Sequence, residues 1–142
     1  MRVPKPQVQQ SLNPKDYKVR IVVFGTRHYN NRKEFHHELM EYIEQFEGQD
    51  ILFISGDAKS GADYLIIRWC LKFGYPCKRM PADWDNDGKA AGFIRNTEMA
   101  KISTNGLGFW NGHSNGTGQM LEELEKFKVP HRKLIVEIDN EV

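Results

Sequence analysis

The feature that most constrains the fold is a short apolar run, Val19–Phe24, that stops at Gly25. It is rich in β-branched residues and nearly continuous, as is typical of a strand buried on both faces of a parallel sheet. Similar runs recur at residues 51–54, 77–80, 107–110 and 134–138. Segments with helical periodicity separate them, at residues 35–46, 62–73, 91–102 and 116–127.

Strands that alternate with helices of this length predict βαβ units with right-handed crossovers. We therefore expect an α/β, Rossmann-like, doubly wound fold with a mainly parallel five-stranded sheet and helices on both faces. A length of 142 residues suits one domain. Residues 1–16 are rich in proline and glutamine, so we predict a flexible N-terminal arm there and one folded domain at 17–142.

Composition narrows the class of partner. Twenty basic and nineteen acidic side chains leave a formal charge of +1, which argues against a nucleic-acid partner because phosphate tracking needs an excess of cations. The chain has no apolar run of about 18 residues and no signal-like N-terminus, so we expect a cytoplasmic protein with no membrane partner. Cys70 and Cys77 are expected to be buried thiols, and we predict neither a metal site nor a cofactor.

In a doubly wound fold, ligands bind outside the carboxyl ends of the strands, so the residues after each strand are the candidates. The first predicted strand leads into Gly25-Thr26-Arg27. Gly25 allows close approach of a ligand to the backbone, and Arg27 offers donors that suit phosphate or carboxylate. A solvated turn is the alternative for these three residues.

The second predicted strand leads into a loop bracketed by Gly56 and Gly61 that enters a helix. Exposed amides at a helix start favour anions, although no Lys-Ser/Thr pair follows Gly61 and this is no Walker motif. Asp63 falls in the first helical turn, where it either caps the helix or faces a ligand hydroxyl.

The fourth predicted strand leads into a loop and helix start that contain four further candidates: Gly112, Gly116, Thr117 and Gly118. The backbone amides and the Thr117 hydroxyl predict a phosphate cradle, with an ordinary strand-to-helix connection as the alternative. The third predicted strand is followed by a long loop and helix that supply Trp84, Lys89, Arg95 and Asn96. We expect the two cations to reach the cleft, and Trp84 to anchor its loop or stack on a base.

Taken together, these motifs resemble the YspA/YpsA-related branch of the SLOG superfamily of Rossmann-like nucleotide-binding domains. The resemblance covers about residues 18–138 and is carried by Gly25-Thr26-Arg27, Gly61-Ala62-Asp63, Pro81-Ala82-Asp83-Trp84, the stretch from Gly88 to Met99, and Gly116-Thr117. It implies binding of a nucleotide or nucleotide derivative, as a sensor or sequestering domain, with homo-oligomerisation by analogy. The superfamily also includes the LOG phosphoribohydrolases and the DNA-processing protein A group.

The resemblance leaves open whether the chain is an enzyme. A LOG-type enzyme has a Glu three residues after the Thr of its glycine loop, and this chain has Met120 there. An N-glycosidase or phosphohydrolase would then depend on Arg95 with Asp63, Asp83 or Glu98 as acid or base. A binding domain without turnover is the main prediction, and an enzyme on the same site is the alternative. A protein-interaction module without a ligand is a third hypothesis, against which the glycine loops, Arg27 and Arg95 argue.

Overall fold

The computed structural model describes residues 8–138. The chain forms one six-stranded parallel sheet with the order β1-β4-β3-β2-β5-β6. The strands are β1 (Val8–Gln9), β2 (Val19–Gly25), β3 (Ile51–Ser55), β4 (Cys77–Arg79), β5 (Asn105–Trp110) and β6 (His131–Ile135). The helices are α1 (Arg32–Ile43), α2 (Gly61–Phe73), α3 (Trp84–Asp87), α4 (Ala91–Ile102) and α5 (Asn115–Lys126).

The α/β, Rossmann-like fold with a parallel sheet is confirmed, but the prediction of five strands is wrong. The additional strand, β1, comes from the segment that was expected to be a flexible arm. Val8 pairs with Cys77 and Gln9 with Lys78 at the edge of the sheet, and the Lys78 Nζ donates to the Leu12 carbonyl at 3.0 Å. Residues 1–7 of the predicted arm lie outside the described residues.

The last strand also differs from its prediction. The apolar run at 134–138 suggested the strand, whereas β6 spans His131–Ile135. The reason is its pairing with β5, which runs in register from Gly106–His131 to Trp110–Ile135 and ends there. Val136 follows as a buried residue outside the strand.

The segment predicted as a loop at residues 81–89 contains the short helix α3, which Asp83 caps.

Alternate residues of the central strands build two separate cores, as expected of strands buried on both faces. Ile21, Val23 and Phe53 pack with α1 and α2 on one side of the sheet. Val22 and Phe24, with β3 residues, pack with α4 and α5 on the other side. The direction of winding reverses between β2 and β5, which pair from Ile21–Asn105 to Gly25–Phe109. The ends of these two strands therefore form the switch point where doubly wound folds bind ligands.

Candidate functional site

A cavity of about 350 Å³ lies over the carboxyl ends of the central strands. Loops after β2 and β3, the helix α4 and the first turn of α5 form its walls. Seven residues predicted from the sequence line it: Gly25, Arg27, Asp63, Arg95, Asn96, Gly116 and Thr117. The structure therefore brings together candidates that are up to 92 positions apart in the chain (from Gly25 to Thr117).

The loop between β2 and α1 is tied to the loop between β5 and α5. The Asn111 amide donates to the Thr26 Oγ1 at 3.0 Å, and Asn111 Oδ1 accepts from the amides of His113 and Ser114 at 2.9 Å. Thr26 is buried and does not line the cavity. Its hydroxyl holds the two loops in place and leaves Arg27, which is exposed, at the cavity wall.

The start of α5 presents backbone amides to the cavity. Ser114 is the N-cap, and its Oγ accepts from the Thr117 amide at 3.5 Å. Within residues 8–138, no acceptor is found for the amides of Asn115 and Gly116. Open space lies beside Gly116, so an anion can approach these amides closely.

The start of α2 opens on the same cavity. Ser60 is its N-cap residue, yet its side chain accepts no hydrogen bond from the helix. Gly61 has a φ of +74°, and a Cβ there would lie 2.7 Å from the Thr26 carbonyl oxygen. A residue with a side chain would therefore be strained at this position, and glycine keeps the two loops together.

Asp63 is buried in the first turn of α2. One carboxylate oxygen, Oδ2, accepts from the Ala58 amide at 3.4 Å, and the hydroxyl of Ser55 donates to the Asp63 backbone carbonyl at 2.8 Å. Burial raises the pKa of Asp63 to about 6, against the opposing influence of Arg95 and of the Ala58 amide. The carboxylate therefore closes the loop before α2 and does not cap the amides of its own helix.

Arg95 lies on α4, and hydrogen bonds to neighbouring segments hold its guanidinium group in place. Its Nη1 donates to the carbonyls of Gly56 and Met80, and its Nε donates to the Asn96 Oδ1 at 3.0 Å. Asn96 in turn donates to the Gln119 Oε1 at 2.8 Å on α5. Burial lowers the pKa of the Arg95 guanidinium, whereas the carboxylates of Asp63 and Asp57 raise it. An arginine remains charged in such surroundings.

Several predicted residues lie outside the cavity. Trp84 is 60% exposed, Lys89 is exposed, and Asp83 is occupied by capping α3. Glu98 forms an exposed ion pair with Lys101 at 3.5 Å. Trp84 and Glu98 lie on exposed faces of α3 and α4, Asp83 precedes α3, and Lys89 lies between the two helices. The buried face of α4 carries Asn96 and Met99. Gly112 and Gly118 line a neighbouring depression with Trp110, and Gly56 contributes its carbonyl to Arg95.

Sequence reasoning missed several residues in and around this site. Ser60 and Asn115 line the cavity, and Met99 and Met120 form an apolar wall with Phe24. The Asp57 carboxylate, which accepts from Arg79 Nε and Nη2 at 3.0 and 2.9 Å, holds the β3–α2 loop against β4. The Ser114-x-x-Thr117 spacing is an N-cap signal that could have been found, whereas the Asn96–Gln119 contact has no local signal. Within residues 8–138 no group of three or more His, Cys, Asp or Glu side chains is placed to hold a metal ion.

No family model matches the chain. It is 28% identical over 117 residues to the gene 61 protein of Mycobacterium phage D29, an alignment that covers 78% of this chain and 92% of that protein. It is also similar to DNA processing protein A from Helicobacter pylori, in a solved structure that describes that protein's unique single-stranded DNA binding mode. The TM-score is 0.60 at 15% identity, over 92% of this chain and 72% of that one.

This likeness corrects one expectation drawn from composition. The near-zero net charge argued against a nucleic-acid partner, yet a protein with the same fold binds single-stranded DNA. A net charge near zero does not by itself exclude a nucleic-acid partner, because binding depends on where the cations lie as well as on their sum. No helix among residues 8–138 combines the length and apolar character of a membrane span. The chain has a Rossmann-like fold that it shares with DNA processing protein A.

Proposed function

We propose that this chain is a nucleotide-binding domain that holds the ligand's phosphate at the start of α5 and releases it unchanged. The observation that carries the proposal is that two helix N-termini, those of α2 and α5, open on one cavity together with Arg27 and Arg95. Each helix start contributes about half a positive charge, and the two guanidinium groups add full charges. Asp63 is the only carboxylate among the described residues that line the cavity.

Three features favour a nucleotide over a bare phosphate ion. The volume of about 350 Å³ lies in the range of about 300–1,000 Å³ that is usual for small-molecule sites. Phe24, Met99 and Met120 supply an apolar wall that a phosphate would not need. A buried carboxylate beside an anion site would repel phosphate, so its presence indicates a ligand with a hydrogen-bond donor next to the phosphate.

The same geometry favours binding over hydrolysis. Hydrolysis of a glycosidic bond generally needs two carboxyl groups across the scissile bond. Here Met120 faces the cavity at the helix position where LOG enzymes have their Glu, and Asp83 and Glu98 lie outside it. Asp63 is the only carboxylate among the described residues that line the cavity, so no second carboxyl group faces it there.

The test is a binding screen in which each mixture is analysed afterwards by chromatography. The panel contains ribonucleoside and deoxyribonucleoside monophosphates, cyclic and dinucleotides, inorganic phosphate and a single-stranded oligodeoxynucleotide. We expect a nucleotide to raise the melting temperature and to be recovered intact; a concentration of 100 Kd would add about 2.7 kcal/mol of stability. A consumed nucleotide would contradict binding without turnover. An oligonucleotide that binds alone, with a steep salt dependence, would indicate a single-strand binding protein instead.

Replacement of Arg27 by Ala should weaken nucleotide and phosphate binding about tenfold, because a charge-assisted hydrogen bond to phosphate is lost. Arg27 is exposed and makes no hydrogen bond within the described residues, so the fold should tolerate the change. Isothermal titration calorimetry measures the effect. Arg68→Ala is the matched control, since Arg68 is also exposed but lies on α2 away from the cavity. Equal losses in both variants would mean that only overall charge matters.

A further inference from the structure

We propose that the cavity selects ribonucleotides over deoxyribonucleotides, through a ribose hydroxyl that binds between Asp63 and Arg95. This inference rests on the proposed nucleotide binding and names the class of sugar that the site accepts. Its basis is the pair of facing side chains and the hydrogen bonds that each leaves unmade.

Asp63 has an unused acceptor that faces the cavity. The side chain is only 9% exposed, and its single hydrogen bond within residues 8–138 is the long one that Oδ2 accepts from the Ala58 amide at 3.4 Å. No described donor reaches Oδ1, although a carboxylate can accept about four hydrogen bonds. A carboxylate buried in this way needs a donor, and the cavity is the side from which one can come.

Arg95 approaches Asp63 without pairing with it. A Cβ at Gly56 would lie 2.7 Å from both the Asp63 Oδ2 and the Arg95 Nη1, so the two charged groups flank the same glycine. Among the described residues, no ion pair joins them. Nη1 and Nε of Arg95 are occupied by the protein, whereas Nη2 makes no hydrogen bond there. An acceptor and a donor without a described partner thus belong to two neighbouring side chains that line the same cavity.

Among the single groups of a nucleotide, one matches both. A hydroxyl donates one hydrogen bond and accepts two, so it can donate to Asp63 and accept from Arg95 at once. The edge of a base can also offer a donor and an acceptor, but only on two neighbouring atoms. Binding through a base edge does not depend on the sugar hydroxyls, so the deoxy analogues separate the two cases. A phosphate only accepts, and would face the Asp63 carboxylate with like charge. The geometry therefore points to a sugar hydroxyl, with the phosphate directed to the start of α5.

The experiment compares the affinities of each ribonucleoside 5′-monophosphate with its 2′-deoxy and 3′-deoxy counterparts by isothermal titration calorimetry. We expect one of the two deoxy analogues to bind about tenfold to a hundredfold more weakly, because a hydrogen bond to a charged group is lost and the buried carboxylate is left unpaired. In Asp63→Asn, whose amide oxygen is a weaker acceptor, the ratio of the ribonucleotide affinity to the deoxyribonucleotide affinity should fall towards one. Inorganic phosphate should bind that variant at least as tightly as it binds the wild-type chain.

Glu98→Gln is the matched control. It also replaces a carboxylate by an amide, but Glu98 forms an exposed ion pair with Lys101 and does not line the cavity. The ribose preference should survive in this variant. Equal affinities for the ribo and both deoxy forms would overturn the inference while leaving nucleotide binding intact. Absence of binding by every nucleotide and by phosphate would overturn the proposed function itself.

Discussion

Replacement of Asp63 by Asn should raise the free energy of unfolding at pH 7.5 by about 3 kcal/mol. Burial raises the pKa of this carboxyl from its ordinary value of 3.8 to about 6, which outweighs the attraction of Arg95. Each unit of such a shift corresponds to about 1.4 kcal/mol. The charged carboxylate therefore destabilises the native state. The neutral amide of Asn at this position can still accept from the Ala58 N–H, and it avoids the free-energy cost of burying a charge.

The effect should depend on pH with a defined sign. Because the pKa is higher in the folded than in the unfolded chain, the native state binds the proton more readily. The charged Asp63 carboxylate therefore lowers the free energy of unfolding by its full amount above about pH 6. This loss disappears as the pH falls towards 3.8. The difference in free energy of unfolding between Asp63→Asn and the wild-type chain should thus fall below about 1 kcal/mol at pH 4. Urea unfolding at pH 4 and at pH 7.5 measures this difference.

Asp57→Asn serves as the contrast, since it breaks the two hydrogen bonds that Arg79 donates. It should lower the stability where Asp63→Asn raises it. A loss of stability in Asp63→Asn at pH 7.5 would mean that this carboxylate supports the fold in its charged form, as a cap would. A gain would indicate a residue retained at the expense of stability, which is typical of a binding site.

Replacement of Gly61 by Ala should destabilise the fold by about 3 kcal/mol. At a φ of +74° an alanine is strained by about 1 kcal/mol. In addition, its Cβ would lie 2.7 Å from the Thr26 carbonyl oxygen, which is backbone and cannot rotate away. Relief of that overlap needs a backbone shift, at a further cost of about 1–3 kcal/mol.

Gly74 provides the matched control for this substitution. It caps the other end of the same helix with a φ of +80°, but nothing lies within 4 Å of a Cβ built there. Gly74→Ala should therefore show the backbone strain alone, about 1 kcal/mol. Urea unfolding of both variants separates the two contributions. Similar losses in the two would show that the loops after β2 and β3 can move apart at little cost.

The regular elements near the site were predictable because their signals are local. The run at Val19–Phe24 and the period of α2 follow from which side chains must be buried, and both elements were found close to their predicted bounds. The edge strand β1 has no such signal, since two residues are held only by pairing with β4. The displaced β6 shows the same limit, because its bounds are set by β5.

Candidate residues of the cavity could be predicted from the rule that ligands bind where parallel strands end, which needs only the order of strands and glycine turns. That rule selected Arg27, Asp63 and Arg95 correctly as lining residues, together with Gly116 and Thr117. It could not tell that Glu98 and Trp84 face outwards. The face of a short helix that meets the cavity is decided by packing, here by Asn96 and Met99 against α5 and the sheet.

The fold class, the edge of the sheet that carries the cavity and most of the cations and glycines there follow from local periodicity and residue type. How those residues are used depends on contacts between distant segments. Thr26 joins two loops and does not line the cavity, and Arg95 donates to carbonyls of two other loops. One oxygen of Asp63 has no donor among the described residues. The roles of these three residues depend on hydrogen bonds between segments that are distant in the chain. A local sequence pattern does not predict which distant group a buried polar side chain will bind.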